Sequence, residues 1–126
     1  MDKEQALHKF WSSFGWKAYD ENTVPDNAMA ENNYRYITYS VGTDSLDNTL
    51  LLTASLWNRS NSWEDVDKKS HDIARFIETQ VPPSIRIDNG RLKIRKGTPF
   101  AQRMADEDDS IRRIVLSIIV EFLTNY

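Results

Sequence analysis

The chain has 126 residues, a formal net charge of -3 and no cysteine. This length fits one domain with a substantial buried core. Without cysteine, disulfides and thiolate chemistry are excluded, and the acidic balance argues against a general nucleic-acid binder, which is normally basic.

The first ten residues are polar and lack the apolar core of a signal peptide, so we expect a protein that is not secreted. The apolar run in residues 111–126 is interrupted by Ser117 and Glu121, and it is shorter than the roughly 20 residues that a membrane helix needs. We therefore expect a soluble protein with no membrane partner.

The first predicted element is a helix over residues 2–14. Its apolar residues recur every three or four positions and form one broad stripe, and Gly15 is the expected C-cap. A long polar loop follows in residues 16–33, with a short edge strand expected at 17–19. The apolar stripe consists of Ala6, Leu7, Phe10, Trp11 and Phe14.

Two strands are predicted next, in residues 34–41 and 48–59. Both are rich in β-branched and aromatic residues that alternate with polar ones, and they are expected to form an antiparallel hairpin. In the second strand, one face carries Leu50, Leu52, Ala54 and Leu56. Trp57 falls on the opposite, polar face, where a tryptophan is typical of subunit contacts, so it is the first candidate for an interface anchor.

A second helix is predicted over residues 63–79. Ser62 is a good N-cap, and the proline pair that begins at Pro82 ends the helix. The residues expected on its buried face are Val66, Ile73, Phe76 and Ile77.

A short hairpin is predicted in residues 84–95, because Asn89-Gly90 favours a type I′ turn. Residues 97–109 are predicted to be a loop or a broken helix. The last strand begins near residue 111, and its apolar face carries Ile114, Leu116, Ile118, Val120 and Phe122. Its second face mixes Val115, Ile119 and Leu123 with Arg113 and Glu121, a mixture that fits a partly covered surface between subunits.

This order of elements predicts an α+β fold in a single domain over residues 1–126. We expect a mostly antiparallel β-sheet with two main α-helices packed on it.

Two charged clusters stand out. The basic hairpin contains Arg86, Arg91, Lys93, Arg95 and Lys96, and the acidic turn contains Asp106, Glu107, Asp108 and Asp109. The basic hairpin fits the solvent face of an edge strand or a surface that contacts acidic protein, one candidate being the acidic turn of a neighbouring copy. The acidic turn lacks the glycine and distal glutamate of an EF-hand, so a solvated turn is favoured over a cation site.

The sequence offers no active-site pattern. His8 and His71 have no second histidine four residues away and no cysteine, which argues against a zinc site. Neither a phosphate-binding loop nor a Gly-x-Ser-x-Gly motif occurs. We therefore expect a protein that is not an enzyme, with no cofactor, no metal and no small-molecule substrate.

Several short motifs occur in a recognisable order along the chain. They are Phe10–Gly15, Ala18–Pro25, Tyr36–Tyr39, Leu52–Trp57, Ser62–Trp63, Pro99–Met104 and Glu121–Leu123. Together they resemble the small tail-terminator, or tail-completion, proteins of long-tailed phages and prophages, particularly those of Gram-positive hosts. The resemblance covers nearly the whole chain and rests on ordered motifs, not on one diagnostic signature.

The resemblance implies a homo-oligomeric ring, usually a hexamer, on the head-proximal end of the completed tail tube. Such a ring stops polymerisation of the major tail protein and docks to the connector or stopper protein of the head, without catalysis. The implied location is the tail or neck of the virion, after assembly in the cytoplasm of the bacterial host. The candidate interface residues are Trp57, Arg91, Lys93, Arg95, Arg103, Asp106, Asp108 and Arg113.

Three alternatives stay open at the level of sequence. One is another neck or head-completion protein. The second is a DNA-contacting module of the connector, which would use the basic hairpin and bind with an affinity that falls steeply with salt. The third is a small metal-dependent nuclease that uses Asp106 and Asp108.

Overall fold

The computed structural model describes residues 2–28, 35–41, 49–79, 84–88, 90–105, 108 and 110–124. The helices are α1 (Lys3–Ser12) and α2 (Glu64–Thr79). The strands are β1 (Ala18–Asp20), β2 (Arg35–Tyr39), β3 (Thr49–Arg59), β4 (Ser84–Ile87), β5 (Gly90–Met104) and β6 (Ile111–Thr124). The expected edge strand at 17–19 is β1, shifted by one residue, and Asn89 of the expected turn lies outside the described residues.

The strands form one six-stranded sheet in the order β1-β2-β3-β6-β5-β4. β1 pairs with β2 in parallel, and the other neighbouring strands pair antiparallel. Both helices pack on the same face of this sheet, where their apolar residues join those of the strands in one core. The predicted α+β fold with a mostly antiparallel sheet is confirmed.

The capping residues of α1 explain where the helix starts. Asp2 accepts a hydrogen bond from the backbone N–H of Gln5 at 2.8 Å, and the Gln5 side chain accepts one from the backbone of Asp2 at 3.0 Å. This reciprocal arrangement satisfies two backbone donors that the first turn leaves open. The helix ends at Ser12 and its C-cap is Ser13, not Gly15 as predicted; Gly15 takes a φ of +88° in the turn that follows.

Helix α2 begins where expected, since the Ser62 hydroxyl accepts a hydrogen bond from the Glu64 N–H at 3.1 Å. Its buried side chains include Val66, Ile73 and Ile77. The prediction that Phe76 is buried is wrong, because its side chain is 37% exposed. It packs against the Phe14 ring at the rim of the core, edge to face, at 5.4 Å between centroids.

The centre of the sheet is the pairing of β3 with β6, which runs without a break from Thr49 opposite Glu121 to Arg59 opposite Ile111. The face toward the helices carries Leu52, Ala54, Leu56, Ile114, Leu116, Ile118 and Val120, all buried. The alternation predicted for both strands is confirmed on this face. Phe122 continues the row but is only partly buried.

Strand β5 differs most from the sequence-based expectation. Residues 97–104, predicted as a loop or broken helix, extend the strand, and its register with β6 shifts between Lys96 and Ala101. Gly97 and Pro99 are local signals for a turn, but β6 offers a continuous row of partners, and pairing with it overrides the local preference. Pro99 falls within the shifted stretch, where a residue without a backbone N–H is tolerated.

Gly97 is required by the close approach of β6. A Cβ atom at this position would lie 2.9 Å from Ser117 Cβ and 3.0 Å from the Ser117 carbonyl oxygen. Both contacts are shorter than a packed backbone permits, so any side chain here would push the two strands apart.

We therefore expect Gly97→Ala to lower the free energy of unfolding by about 1–3 kcal/mol, through overpacking against Ser117. Denaturant unfolding followed by circular dichroism measures this change. Thr98→Ala, one residue further along the same strand and exposed, is the matched control and should stay within about 0.5 kcal/mol. Equal stability of the two variants would contradict this account.

Candidate functional site

The two faces of the sheet differ in what covers them. Both described helices pack against the face that holds Leu116 and Ile118. The opposite face, here called the open face, carries the alternate residues Arg113, Val115, Ser117, Ile119, Glu121 and Leu123 of β6 with their partners on β3 and β5. Neither α1 nor α2 lies on it, so its side chains are the natural place to look for a binding surface.

The register brings five of the eight predicted interface residues to the open face. Trp57 pairs with Arg113, and three cations of β5 pair with open-face positions of β6. These cations are Arg91, Lys93 and Arg95, opposite Leu123, Glu121 and Ile119. Whether these residues contact a partner stays a prediction.

The other three predicted interface residues do not join this group. Arg103 lies on the helix side, where it forms an ion pair with Asp67 at 2.5 Å and places its guanidinium 4.8 Å from the centre of the Trp63 ring. Asp108 lies in the turn before β6, and Asp106 lies outside the described residues.

The Asp108 carboxylate is held by local contacts. It accepts hydrogen bonds from the Ser110 hydroxyl at 2.6 Å and the Ser110 N–H at 2.9 Å, and Arg59 lies 3.6 Å away. The hydrogen bonds from Ser110, assisted by the charge of Arg59, lower the pKa of Asp108 below its usual range. These contacts fit the solvated turn that the sequence favoured.

An aromatic ladder crosses the open face over four neighbouring strands. Its members are Tyr19, Tyr36, Trp57 and Arg113, on β1, β2, β3 and β6. Tyr19 meets Tyr36 edge to face at 6.0 Å between ring centroids, and Tyr36 stacks on Trp57 at 6.1 Å with 11° between the planes. The Arg113 guanidinium lies 4.6 Å from the centre of the Trp57 ring, within cation–π range.

Hydrogen bonds to the sheet fix the centre of this ladder. The Trp57 indole N–H donates to the Thr38 hydroxyl at 2.9 Å, and Arg113 Nε donates to the Ser55 hydroxyl at 3.1 Å. Sequence reasoning identified Trp57 but missed Tyr19 and Tyr36. The signal was present, since an aromatic residue on the polar phase of a strand can stack on its cross-strand neighbour.

A basic corner occupies the other end of the open face, and we define it as Arg86, Arg91, Lys93 and Arg95. Arg86 and Arg91 are direct cross-strand partners, and like charges in this position destabilise a sheet. None of the four cations forms an ion pair with another described residue. Lys96, predicted as part of the same cluster, instead lies on the helix side and pairs with Glu78 of α2.

Exposed apolar side chains lie on the open face beside the ladder and the basic corner, with Met104 opposite Arg113 and Leu123 opposite Arg91. Leu51 is 67% exposed, Met104 40% and Leu123 36%. Val115 and Ile119 are partly buried by their neighbours. The second face of the last strand is therefore partly covered within one copy of the chain, and its predicted place between subunits stays a prediction.

On the helix side, α1 is joined to β2 by a chain of polar contacts. The Tyr39 hydroxyl lies 3.0 Å from His8 Nδ1, and His8 Nε2 lies 3.3 Å from the Ser12 hydroxyl. Burial raises the pKa of Tyr39, and the carboxylates of Asp20 and Glu4 add to this effect. The sequence gave no signal for this contact.

No family model, curated protein or solved structure matches this chain. Within the described residues, no three His, Asp or Glu side chains are grouped in a way that would hold a metal ion. The same part of the chain contains no helix with the length and apolarity needed to cross a membrane.

The contact between Trp57 and Arg113 predicts a measurable coupling energy. In a double-mutant cycle with Trp57→Leu and Arg113→Met, we expect a coupling of about 0.5–2 kcal/mol in the free energy of unfolding, because the pair is partly desolvated. The same cycle with Trp57→Leu and Arg95→Met pairs two residues without a direct contact and should give less than about 0.5 kcal/mol. Equal coupling in both cycles would argue against the ladder.

The raised pKa of Tyr39 predicts a loss of stability at alkaline pH. Below about pH 10 the phenol is neutral in both states; above it the unfolded chain loses the proton first, so the free energy of unfolding falls as pH rises. Asp20→Asn removes one cause of the shift and should lower the pKa of Tyr39, which titration of tyrosinate absorbance measures. Asp72→Asn on α2 is the control, and a shift of the same size in that variant would contradict the assignment to Asp20.

Proposed function

We propose that this protein is a structural component of a phage virion, which caps the head-proximal end of the tail tube, stops tail polymerisation and mediates head–tail joining. The observation that supports this best is the open face of the sheet. It combines an ordered aromatic ladder, exposed apolar side chains and four cations that lack ion pairs among the described residues. A surface of this composition is typical of protein interfaces, in which aromatic residues and arginine are enriched.

The size of the open face also fits an interface. With about 3.3 Å per residue along a strand and about 4.8 Å between strands, the six strands span on the order of 800 Å². One partner in a standard protein–protein interface contributes about the same area. The face is therefore large enough to hold a neighbouring subunit or the end of a tail tube.

The resemblance to tail terminators is the reason for proposing a cap on the tail tube and not another kind of assembly. Three of the motifs that carry it, Tyr36–Tyr39, Leu52–Trp57 and Pro99–Met104, lie on β2, β3 and β5 of the same sheet. The motif Phe10–Gly15 supplies core aromatic residues at the end of α1. The motifs thus belong to the sheet and to the helix that packs on it.

Deleting the gene from the phage or prophage that carries it tests the proposal. We expect tails of irregular length that fail to join heads, because polymerisation of the major tail protein would lack a stop. Negative-stain microscopy measures tail length, and re-expression of the intact chain should restore uniform tails. Normal virions in the absence of the protein would rule the proposal out.

Trp57→Ala provides a finer version of the same experiment, since Trp57 is the central member of the ladder and the predicted anchor. We expect this variant to restore uniform tails poorly. Arg75→Ala, an exposed change on α2 of the opposite layer, is the control and should restore them fully.

A DNA-contacting role in the connector is the second candidate, because the open face places cations beside aromatic rings, as in proteins that bind single strands. That role predicts binding to DNA with a steep salt dependence. Our proposal predicts no measurable affinity at physiological salt, and fluorescence anisotropy with a labelled oligonucleotide separates the two.

A further inference from the structure

The two lateral edges of the sheet carry opposite charge. Residues 84–96, which form the β4–β5 edge, contain five cations and one carboxylate, Asp88. Residues 17–28, which include the opposite edge strand β1, contain three carboxylates and one cation, Lys17. We call these three the acidic edge: Asp20, Glu21 and Asp26.

The basic corner forms no ion pair with another residue in the part of the chain that the structure describes. On the helix side, the cations Arg35, Lys96 and Arg103 each pair with a carboxylate of α2, namely Asp65, Glu78 and Asp67. On the open face, Arg86 and Arg91 face each other, and Glu121 opposite Lys93 is the one carboxylate among their strand partners in the described register. This arrangement is unfavourable in an isolated copy and becomes favourable beside an anionic surface.

The acidic edge is likewise without a cation partner among the described residues. Glu21 and Asp26 are exposed. The Asp20 carboxylate accepts a hydrogen bond from the Asn22 N–H at 3.0 Å but forms no ion pair in the part of the chain that the structure describes. Asp20 pairs with Tyr39 in the parallel register and so lies on the helix side of the sheet, where Asp20 and Glu4 both contribute to the raised pKa of Tyr39.

The two patches lie at opposite ends of the strand order β1-β2-β3-β6-β5-β4, five inter-strand spacings of about 4.8 Å apart, or roughly 24 Å measured along the sheet. A charge interaction in water at physiological salt is largely screened beyond about 8 Å. No ion pair joins the two patches among the described residues, so their opposite charges suit a contact between two molecules.

We propose that the basic corner of one copy docks on the acidic edge of the next copy, in a head-to-tail contact that repeats from subunit to subunit. In the proposed tail-capping ring, this contact would join each subunit to the next. Its biological role therefore rests on the proposed function. A heterologous contact of this kind uses a different patch on each partner, so every copy in a closed ring has both patches occupied.

A second copy fits the basic corner better than DNA does. The acidic edge and the net charge of -3 would repel a polyanion, whereas both charged patches are satisfied when the chain meets itself.

Charge reversal with mixing tests this contact. The corner variant carries Arg86→Glu, Arg91→Glu and Arg95→Glu, and the edge variant carries Glu21→Lys and Asp26→Lys. Lys93 is kept because it faces Glu121, and Asp20 is kept because it holds Asn22. Circular dichroism establishes that each variant is folded.

Each variant alone places like charges together, so we expect self-association at least about tenfold weaker than that of the unaltered chain. An equal mixture restores attraction at every contact, because corner and edge variants can alternate. Sedimentation velocity over a concentration series should show the mixture recovering association that neither variant has alone. Asp72→Lys on α2 is the control for a general effect of charge and should associate normally.

A mixture that fails to recover, or an unaltered chain that stays monomeric at every concentration, overturns the contact. Should any variant fail to fold, Arg95→Glu and Glu21→Lys as single changes repeat the test, with smaller expected losses and the same recovery on mixing. If the mixture does not recover association but gene deletion gives irregular tails, the contact is overturned and the proposed function stands. If the mixture recovers association but gene deletion leaves tails normal, the contact is supported and the proposed role in the tail is ruled out.

Discussion

The uninterrupted pairing of β3 with β6 is the constraint on which the rest of the structure depends. Eleven consecutive residues of β3 face β6 in a single register, from Thr49 to Arg59. Because side chains alternate along a strand, a slip of one residue would turn Leu116 and Ile118 to solvent and bury Arg113. The buried row of leucine, isoleucine and valine fixes the register, and the register then decides which polar side chains share the open face.

The same alternation separates the charged residues into two populations. On the helix side, Arg35, Lys96 and Arg103 pair with carboxylates of α2, whose first turn alone contains Glu64, Asp65 and Asp67. Cations that emerge on the open face meet strand neighbours, most of which are apolar or basic. An overall charge of -3 therefore conceals a strongly uneven distribution, and it is this distribution, not the total, that bears on association.

The spacing of apolar residues was sufficient to predict those elements whose structure depends mainly on burial of one face. The α+β class, both helices, and the buried alternation of β3 and β6 followed from apolar spacing, and Ser62 marked the start of α2. The same spacing gave a wrong prediction for residues 97–104, where pairing with a strand distant in sequence overrides the local preference for a turn. Gly97 and Pro99 favour a turn, but the adjacent β6 draws them into β5.

The register shift after Lys96 also decides which residues join the candidate site. The alternation of apolar and polar residues does not show which face a side chain takes after such a shift. Arg103 was therefore grouped with Arg91, Lys93 and Arg95, although it lies on the opposite face of the sheet. Trp57, Arg91, Lys93, Arg95 and Arg113 lie on unshifted stretches, and their common face was therefore within reach of the sequence. The stacking of Tyr19 and Tyr36 depends on which strands are neighbours, which periodicity does not reveal.

The ladder from Tyr19 to Arg113 has a consequence for the thermodynamics of binding. A flexible side chain at an interface loses about 0.5–1.5 kcal/mol of rotamer entropy when a partner immobilises it. Trp57 and Arg113 are already held by Thr38, Ser55 and each other, so much of that loss is incurred when the chain folds. A partner that bound at Trp57 and Arg113 would therefore meet two side chains that are already ordered, and their share of this entropic cost would be small.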